Sequence, residues 1–165
     1  MGDAERDGTL DGLFAGFAEG AKLVIMGVGN PCHPYDAVGL TLARDLENSL
    51  KRTKNLKFEV GFVRAETLPE NFTGVVRRMA PDHVVLLDAA DRGDPPYGLH
   101  LLTDAELDRA TVSCHKIPFS LYKRFLTDGT PLTLHVVGVQ TVAEPDRNDP
   151  GYRAALAGLK RLFRR

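Results

Sequence analysis

Short apolar runs recur along the chain, separated by segments that contain glycine, proline and charged residues. Runs of this length, bounded by turn residues, are typical of strands that are buried on both faces of a parallel sheet. The sequence therefore predicts five strands, at residues 22–27, 58–63, 83–88, 98–102 and 132–139.

Between these runs, apolar residues recur at spacings of three and four, which places them on one face of a helix. This pattern predicts five helices, near residues 10–17, 36–51, 72–79, 117–126 and 152–163. Thr9 is expected to cap the first helix, and Thr67 with Glu70 matches a capping box before the third. Strands that alternate with helices predict a single-domain α/β fold, a doubly wound, five-stranded, mostly parallel sheet with helices on both faces.

Composition agrees with one ordinary globular domain. The chain has 165 residues, of which 43% are hydrophobic and 26% charged, close to the average for globular proteins. Its 21 Lys and Arg nearly balance its 22 Asp and Glu, so no net charge attracts it to nucleic acid. Every apolar run is shorter than the ~20 residues that span a bilayer. We expect no nucleic-acid partner, no membrane association and, from the acidic N-terminus, a cytoplasmic location.

The first candidate site is the glycine-rich segment at residues 27–39, between the first strand and the second helix. Its Gly-Val-Gly-Asn turn is similar to a dinucleotide-binding loop, but Cys32 replaces the third glycine and no acidic residue ends a strand about 20 residues on. Asp36 has two interpretations, because it is placed either to cap the helix or to point into a site at the end of the strand.

Two further polar residues are expected near the same edge of the sheet. Asp88 ends the third strand, and His115 precedes the fourth helix. Ligands of doubly wound sheets bind at the carboxyl ends of the strands, so Asp36, Asp88 and His115 are predicted to converge there. Two carboxylates and one imidazole form a site for a transition metal that leaves coordination positions open.

Cysteines and histidines leave two alternatives open. The Cys-His pairs at residues 32–33 and 114–115 offer zinc ligands, although without the spacing of structural zinc modules. Cys114 beside a histidine base is also a possible nucleophile. Two cysteines are too few for a disulfide framework, so both are predicted to be free thiols. The remaining histidines lie in or beside strands and are predicted to be structural, namely His83, His100 and His135.

Three motifs occur in an order and at a spacing that one enzyme family shares. They are GVGNPCHPYDAVG, VVLLDAADRG and TVSCHKIPFSL. Together they resemble the hydrogenase maturation endopeptidases, which trim the large-subunit precursor of nickel-iron hydrogenases. The resemblance implies a maturation-protease-like α/β domain at residues 21–165, after an N-terminal helical extension at residues 1–20. It implies metal ligands at Asp36, Asp88 and His115, with the two aspartates as catalytic residues.

The resemblance also implies a substrate and a partner. The expected activity is removal of the C-terminal extension from a nickel-loaded large-subunit precursor. Nickel is expected to arrive with this substrate, the protein is expected to hold no tight cofactor of its own, and the free protein is expected to be a monomer. Tyr35 and Ala37 depart from the usual residues of the family.

Two other functions remain as alternatives. The first is a non-catalytic chaperone that binds nickel or the hydrogenase precursor on the same fold. The second is an esterase similar to peptidyl-tRNA hydrolase, whose opening motif also contains Asn30, Pro31 and Tyr35. That family needs a His-Asn pair soon after the tyrosine, where this chain has Ala-Val-Gly-Leu at residues 37–40.

Overall fold

The apolar runs of the sequence form the strands of one sheet. The computed structural model describes residues 9–109 and 117–164. Its strands follow the order β2-β1-β3-β5-β4, and all pair in parallel except β4, which is antiparallel to β5. Their bounds are β1 (Lys22–Val28), β2 (Glu59–Glu66), β3 (His83–Ala90), β4 (Leu99–Leu101) and β5 (Thr133–Gln140). The predicted fold class is confirmed.

Amphipathic helices cover both faces of the sheet. They are α1 (Leu10–Ala15), α2 (Val38–Leu50), α3 (Thr73–Met79), α4 (Phe119–Thr127) and α5 (Pro150–Leu162). The buried residues of α1, α2 and α5 pack on one face, and those of α3 and α4 pack on the other. The predicted cap of α1 is confirmed, since the Gly12 amide donates to Thr9 Oγ1 over 3.1 Å. None of the described helices is long and apolar enough to cross a membrane.

The capping box predicted at Thr67 and Glu70 is wrong. A 3-10 turn occupies Pro69–Phe72, and α3 begins only at Thr73. Leu68 takes the position before this turn, and no side chain caps it. The chain is therefore in a 3-10 turn where the motif predicted the first turn of an α-helix.

The N-terminal helix packs against the end of the chain. Leu13 and Phe14 of α1 are buried in the same cluster as residues of β1 and α5. The rings of Phe14 and Phe163 meet edge to face, with centroids 5.1 Å apart. The helix thus contributes to the core of this face, and the predicted division of the chain at residue 20 stays a prediction.

The strand order creates a crevice between β1 and β3. The chain leaves β1 for β2 on one side of the sheet and leaves β3 for β4 and β5 on the other. Loops that diverge in this way leave room for a ligand at the carboxyl edge. Gly27 of β1 pairs with Leu87 of β3, so Asp88 lies level with the end of β1.

An ion pair ties the segment after β5 to α2. Arg147 donates to both carboxylate oxygens of Asp45, over 2.5 and 3.0 Å, and the Tyr152 hydroxyl donates to the same carboxylate over 2.5 Å. Burial alone would raise the pKa of Asp45, but the hydrogen bonds from Arg147 and Tyr152 outweigh it and hold the pKa below its ordinary value. The charged carboxylate therefore stabilises the folded chain.

This ion pair makes the stability of the folded chain depend on pH in the acidic range. The pKa of Asp45 is lower in the folded chain than in the unfolded chain, where it is about 3.9. The contribution is therefore fully present above about pH 4 and is lost as the pH falls through the folded pKa. Urea unfolding gives the free energy of unfolding at pH 7 and at pH 3. Between these two values it should decrease less for Asp45→Asn than for the wild type. An equal loss in both proteins would contradict this role of Asp45.

Candidate active site

The loop after β1 holds Asp36 at the carboxyl edge of the sheet. Gly29 has a φ of +146°, and a Cβ at this position would collide with the carbonyl oxygen of Asp36. Glycine is the residue that tolerates both conditions. A 3-10 turn at Pro34–Asp36 follows, in which the Asp36 amide donates to the His33 carbonyl over 2.9 Å. The turn buries Asp36, which is 7% exposed.

Asp36 is not the cap of α2, so that interpretation is wrong. Helix α2 begins at Val38, Ala37 occupies the N-cap position, and no side chain caps the first turn. The 3-10 turn ends at Asp36, one residue before the N-cap position of α2. The second interpretation, in which Asp36 points into a site at the end of β1, stays a prediction.

Asp88 lies in the adjacent strand and is fully buried. Its Oδ1 accepts a hydrogen bond from the Ala89 amide over 2.9 Å. The first turn of α2 rests directly on this part of β3, because a Cβ at Gly39 would lie 2.7 Å from the Cα of Asp88. Close packing of α2 on β3 thus brings the β1 loop, with Asp36, to the strand that carries Asp88.

The third residue predicted for this site, His115, lies outside the described residues, as does Cys114. The convergence of His115 with the two aspartates stays a prediction. Within residues 9–109 and 117–164, no group of three His, Cys, Asp or Glu side chains could hold a metal ion. Of the three residues predicted for this site, the described part of the chain contains the two aspartates, and both are buried.

A hydrogen-bonded network surrounds the two loops. Gln140, the last residue of β5, donates to Asp91 Oδ1 over 3.1 Å and accepts from the amides of Arg92 and Asp94 over 2.9 and 3.2 Å. The Tyr35 hydroxyl lies 3.5 Å from Asp91 Oδ2. Hydrogen bonds from Gln140 and from the Gly93 amide lower the pKa of Asp91. The rim of the crevice therefore carries an anionic carboxylate beside the half-exposed Tyr35.

Sequence reasoning missed this network. Gln140 and Thr141 stand at the end of the last parallel strand, as Asp88 stands near the end of β3. A polar pair that follows the apolar run at residues 132–139 is the same signal that identified Asp88. Applied to every strand, that rule would have found them.

The fold has counterparts among solved proteases. The nickel-iron hydrogenase maturation protease HycI from Thermococcus kodakarensis has a TM-score of 0.67 to this chain, with 21% identity over 93% of this chain and 94% of that one. The hydrogenase maturating endopeptidase HybD from Escherichia coli has a TM-score of 0.59, with 22% identity over 85% and 88% of the two chains. These likenesses establish the shared fold.

Sequence comparison adds a relative. No protein-family profile matches the chain. A Methanocaldococcus jannaschii protein that carries the provisional name of a hydrogenase maturation protease is 27% identical over 122 residues, which is 72% of each chain. This relative and the solved structures agree, since all of them carry names of hydrogenase maturation proteases or endopeptidases.

The cysteine and histidine alternatives find no support in the described part of the chain. Cys32 is an exposed free thiol, and its amide donates to Asn30 Oδ1 over 2.9 Å in a local turn. At the opposite edge of the sheet, His83 Nδ1 lies 3.3 Å from His135 Nε2, and Phe17 stacks on the His83 ring. These two histidines are structural, as predicted.

Proposed function

We propose that the protein is a cytoplasmic endopeptidase that removes the C-terminal extension of a nickel-loaded nickel-iron hydrogenase large-subunit precursor. One observation carries this proposal, namely the pair of buried carboxylates, Asp36 and Asp88, at the β1–β3 crevice. Similarity to the maturation endopeptidases suggests the type of reaction, and the two carboxylates supply groups that perform it.

Nickel in the precursor is the natural partner of these carboxylates. Burial removes carboxylates from water at a cost that a cation can offset. Divalent nickel accepts both carboxylate oxygens and imidazole nitrogens. We therefore assign Asp36, Asp88 and His115 as the residues that contact the nickel held by the precursor. This contact places the C-terminal segment of the precursor over the crevice.

The carboxylates also serve the hydrolysis itself. One of the pair accepts a proton from a water molecule, and the water oxygen adds to the carbonyl carbon of the peptide bond. The carbon–nitrogen bond then breaks, and the proton passes to the amine that leaves with the extension. Asp36 and Asp88 are the buried carboxylates that we assign to hold this proton.

Processing of three substrates in parallel tests the proposal. The purified protein is incubated with nickel-loaded precursor, with nickel-free precursor and with a peptidyl-tRNA, and the products are measured by mass spectrometry. We expect shortening of the nickel-loaded precursor alone. Equal cleavage of both precursors would overturn the role of nickel. Binding of the precursor without cleavage would indicate the chaperone, and release of peptide from tRNA would indicate the esterase.

A further inference from the structure

Residue 141, directly after β5, connects the ends of two other strands. The Thr141 amide donates to the carbonyl of Ala90, the last residue of β3, over 2.9 Å. Its hydroxyl donates to the carbonyl of Tyr35, in the loop after β1, over 2.5 Å. Thr141 is buried, with 9% of its surface exposed. One residue thus joins the β1 loop to the end of the strand that carries Asp88.

The acceptor of this hydroxyl belongs to the peptide group that precedes Asp36. Its oxygen is held by Thr141, and its N–H, which is the Asp36 amide, donates to the His33 carbonyl. Because a peptide group is planar, bonds at both of its ends fix the orientation of the plane. The plane in turn fixes where the Cα of Asp36 lies and where its side chain starts.

The neighbouring Gln140 immobilises the other loop. Its buried amide holds Asp91, Arg92 and Asp94, all in the segment after β3. Hydrogen bonds of a buried polar group resist breakage, because leaving the group unpaired is costly. The backbone of Thr141 is therefore held in place beside the end of β3. The Thr141 hydroxyl connects this backbone to the loop that carries Asp36.

We propose that Thr141 is a positioning residue, whose hydroxyl sets the peptide plane of Asp36 and so holds that carboxylate at the crevice beside Asp88. The inference rests on the proposed function, in which Asp36 takes part in hydrolysis. Thr141 is too buried to meet the precursor itself. Its loss should therefore lower kcat and leave KM almost unchanged.

The test compares three variants in the precursor assay. Thr141→Val removes the hydroxyl and keeps the shape, and Thr141→Ser restores the hydroxyl. Thr53→Val is the matched control, because Thr53 Oγ1 donates to the Ser49 carbonyl over 2.9 Å at the other end of α2. We expect Thr141→Val to lower kcat about tenfold to hundredfold, with KM within about twofold, and Thr141→Ser to recover most of the rate. Thr53→Val should match the wild type.

Amide hydrogen exchange gives a readout that does not depend on activity. Peptides that cover residues 30–37 should exchange faster in Thr141→Val than in the wild type, and at the wild-type rate in Thr141→Ser. Unchanged exchange in Thr141→Val would overturn the positioning role whether or not the precursor is cleaved. An unchanged kcat, or an equal loss in Thr53→Val, would also overturn it. Absence of cleavage by the wild type would instead overturn the proposed function.

Discussion

Replacement of Asp36 by asparagine is expected to abolish precursor cleavage while the fold survives. Asparagine has the size of aspartate and keeps one oxygen acceptor, but it carries no charge and takes up no proton. A group that transfers a proton in hydrolysis typically contributes about 10²- to 10⁴-fold to the rate, and the variant should lose at least that much. Since Asp36 does not cap α2, no capping energy is lost, and the Tm should change by only a few degrees.

The matched control is Asp45→Asn, which makes the same chemical change on α2. Asp45 is held by Arg147 and Tyr152, so its replacement should lower the Tm and leave cleavage normal at a temperature where both variants are folded. Comparison of the two variants distinguishes a charge that is needed for cleavage from a charge that stabilises the fold. Cleavage by Asp36→Asn at the wild-type rate would show that Asp36 is not part of the catalytic site.

Substitution of Gly39 by alanine should lower the stability of the fold by more than the addition of one methyl group suggests. A Cβ at this position would lie 2.7 Å from the Cα and 2.8 Å from the amide nitrogen of Asp88. These are backbone atoms of a central strand, which cannot move without breaking the β-ladder. Forcing atoms into such a packed contact typically costs about 1 to 3 kcal/mol. We expect a Tm lower by several degrees, together with slower cleavage, because α2 must move away from β3.

Gly158→Ala is the control for this substitution. Gly158 lies within α5, and a Cβ there would meet no atom within 4 Å. Alanine in an open helical position is more stable than glycine by about 0.5 to 1 kcal/mol, so this variant should melt higher than the wild type. The measurement is the Tm of both variants by thermal unfolding. An equal change in Tm of the same sign would show that the contact between Gly39 and β3 does not affect stability.

Much of the fold could be predicted because it depends on local patterns. The apolar runs indicated the strands, and the spacing of apolar residues indicated the helices within a few positions. The capping box failed because residues 69–72 form a 3-10 turn and the α-helix begins only at Thr73. Chain order alone placed Asp36 and Asp88 near one edge, since a parallel sheet collects its strand ends there.

The supporting contacts could not be predicted in the same way. The bond from Thr141 to Tyr35 joins residues 106 positions apart, and the approach of Gly39 to Asp88 depends on how closely α2 packs on the sheet. Such contacts follow from three-dimensional packing, which no short segment encodes. Asp36 shows the same limit, because its position before α2 predicted a cap and the 3-10 turn prevented it.

The contact between Phe14 and Phe163 determines when this face of the protein can be completed during synthesis. The ring of Phe14 is covered by a residue near the far end of the chain. Before residue 163 is added, Phe14 can meet Phe17 and Phe58 but lacks its contact with Phe163. Until then part of the apolar face of α1 is open to chaperones and proteases. Translation that stops before residue 163 therefore leaves a nascent chain that quality control can recognise as unfinished.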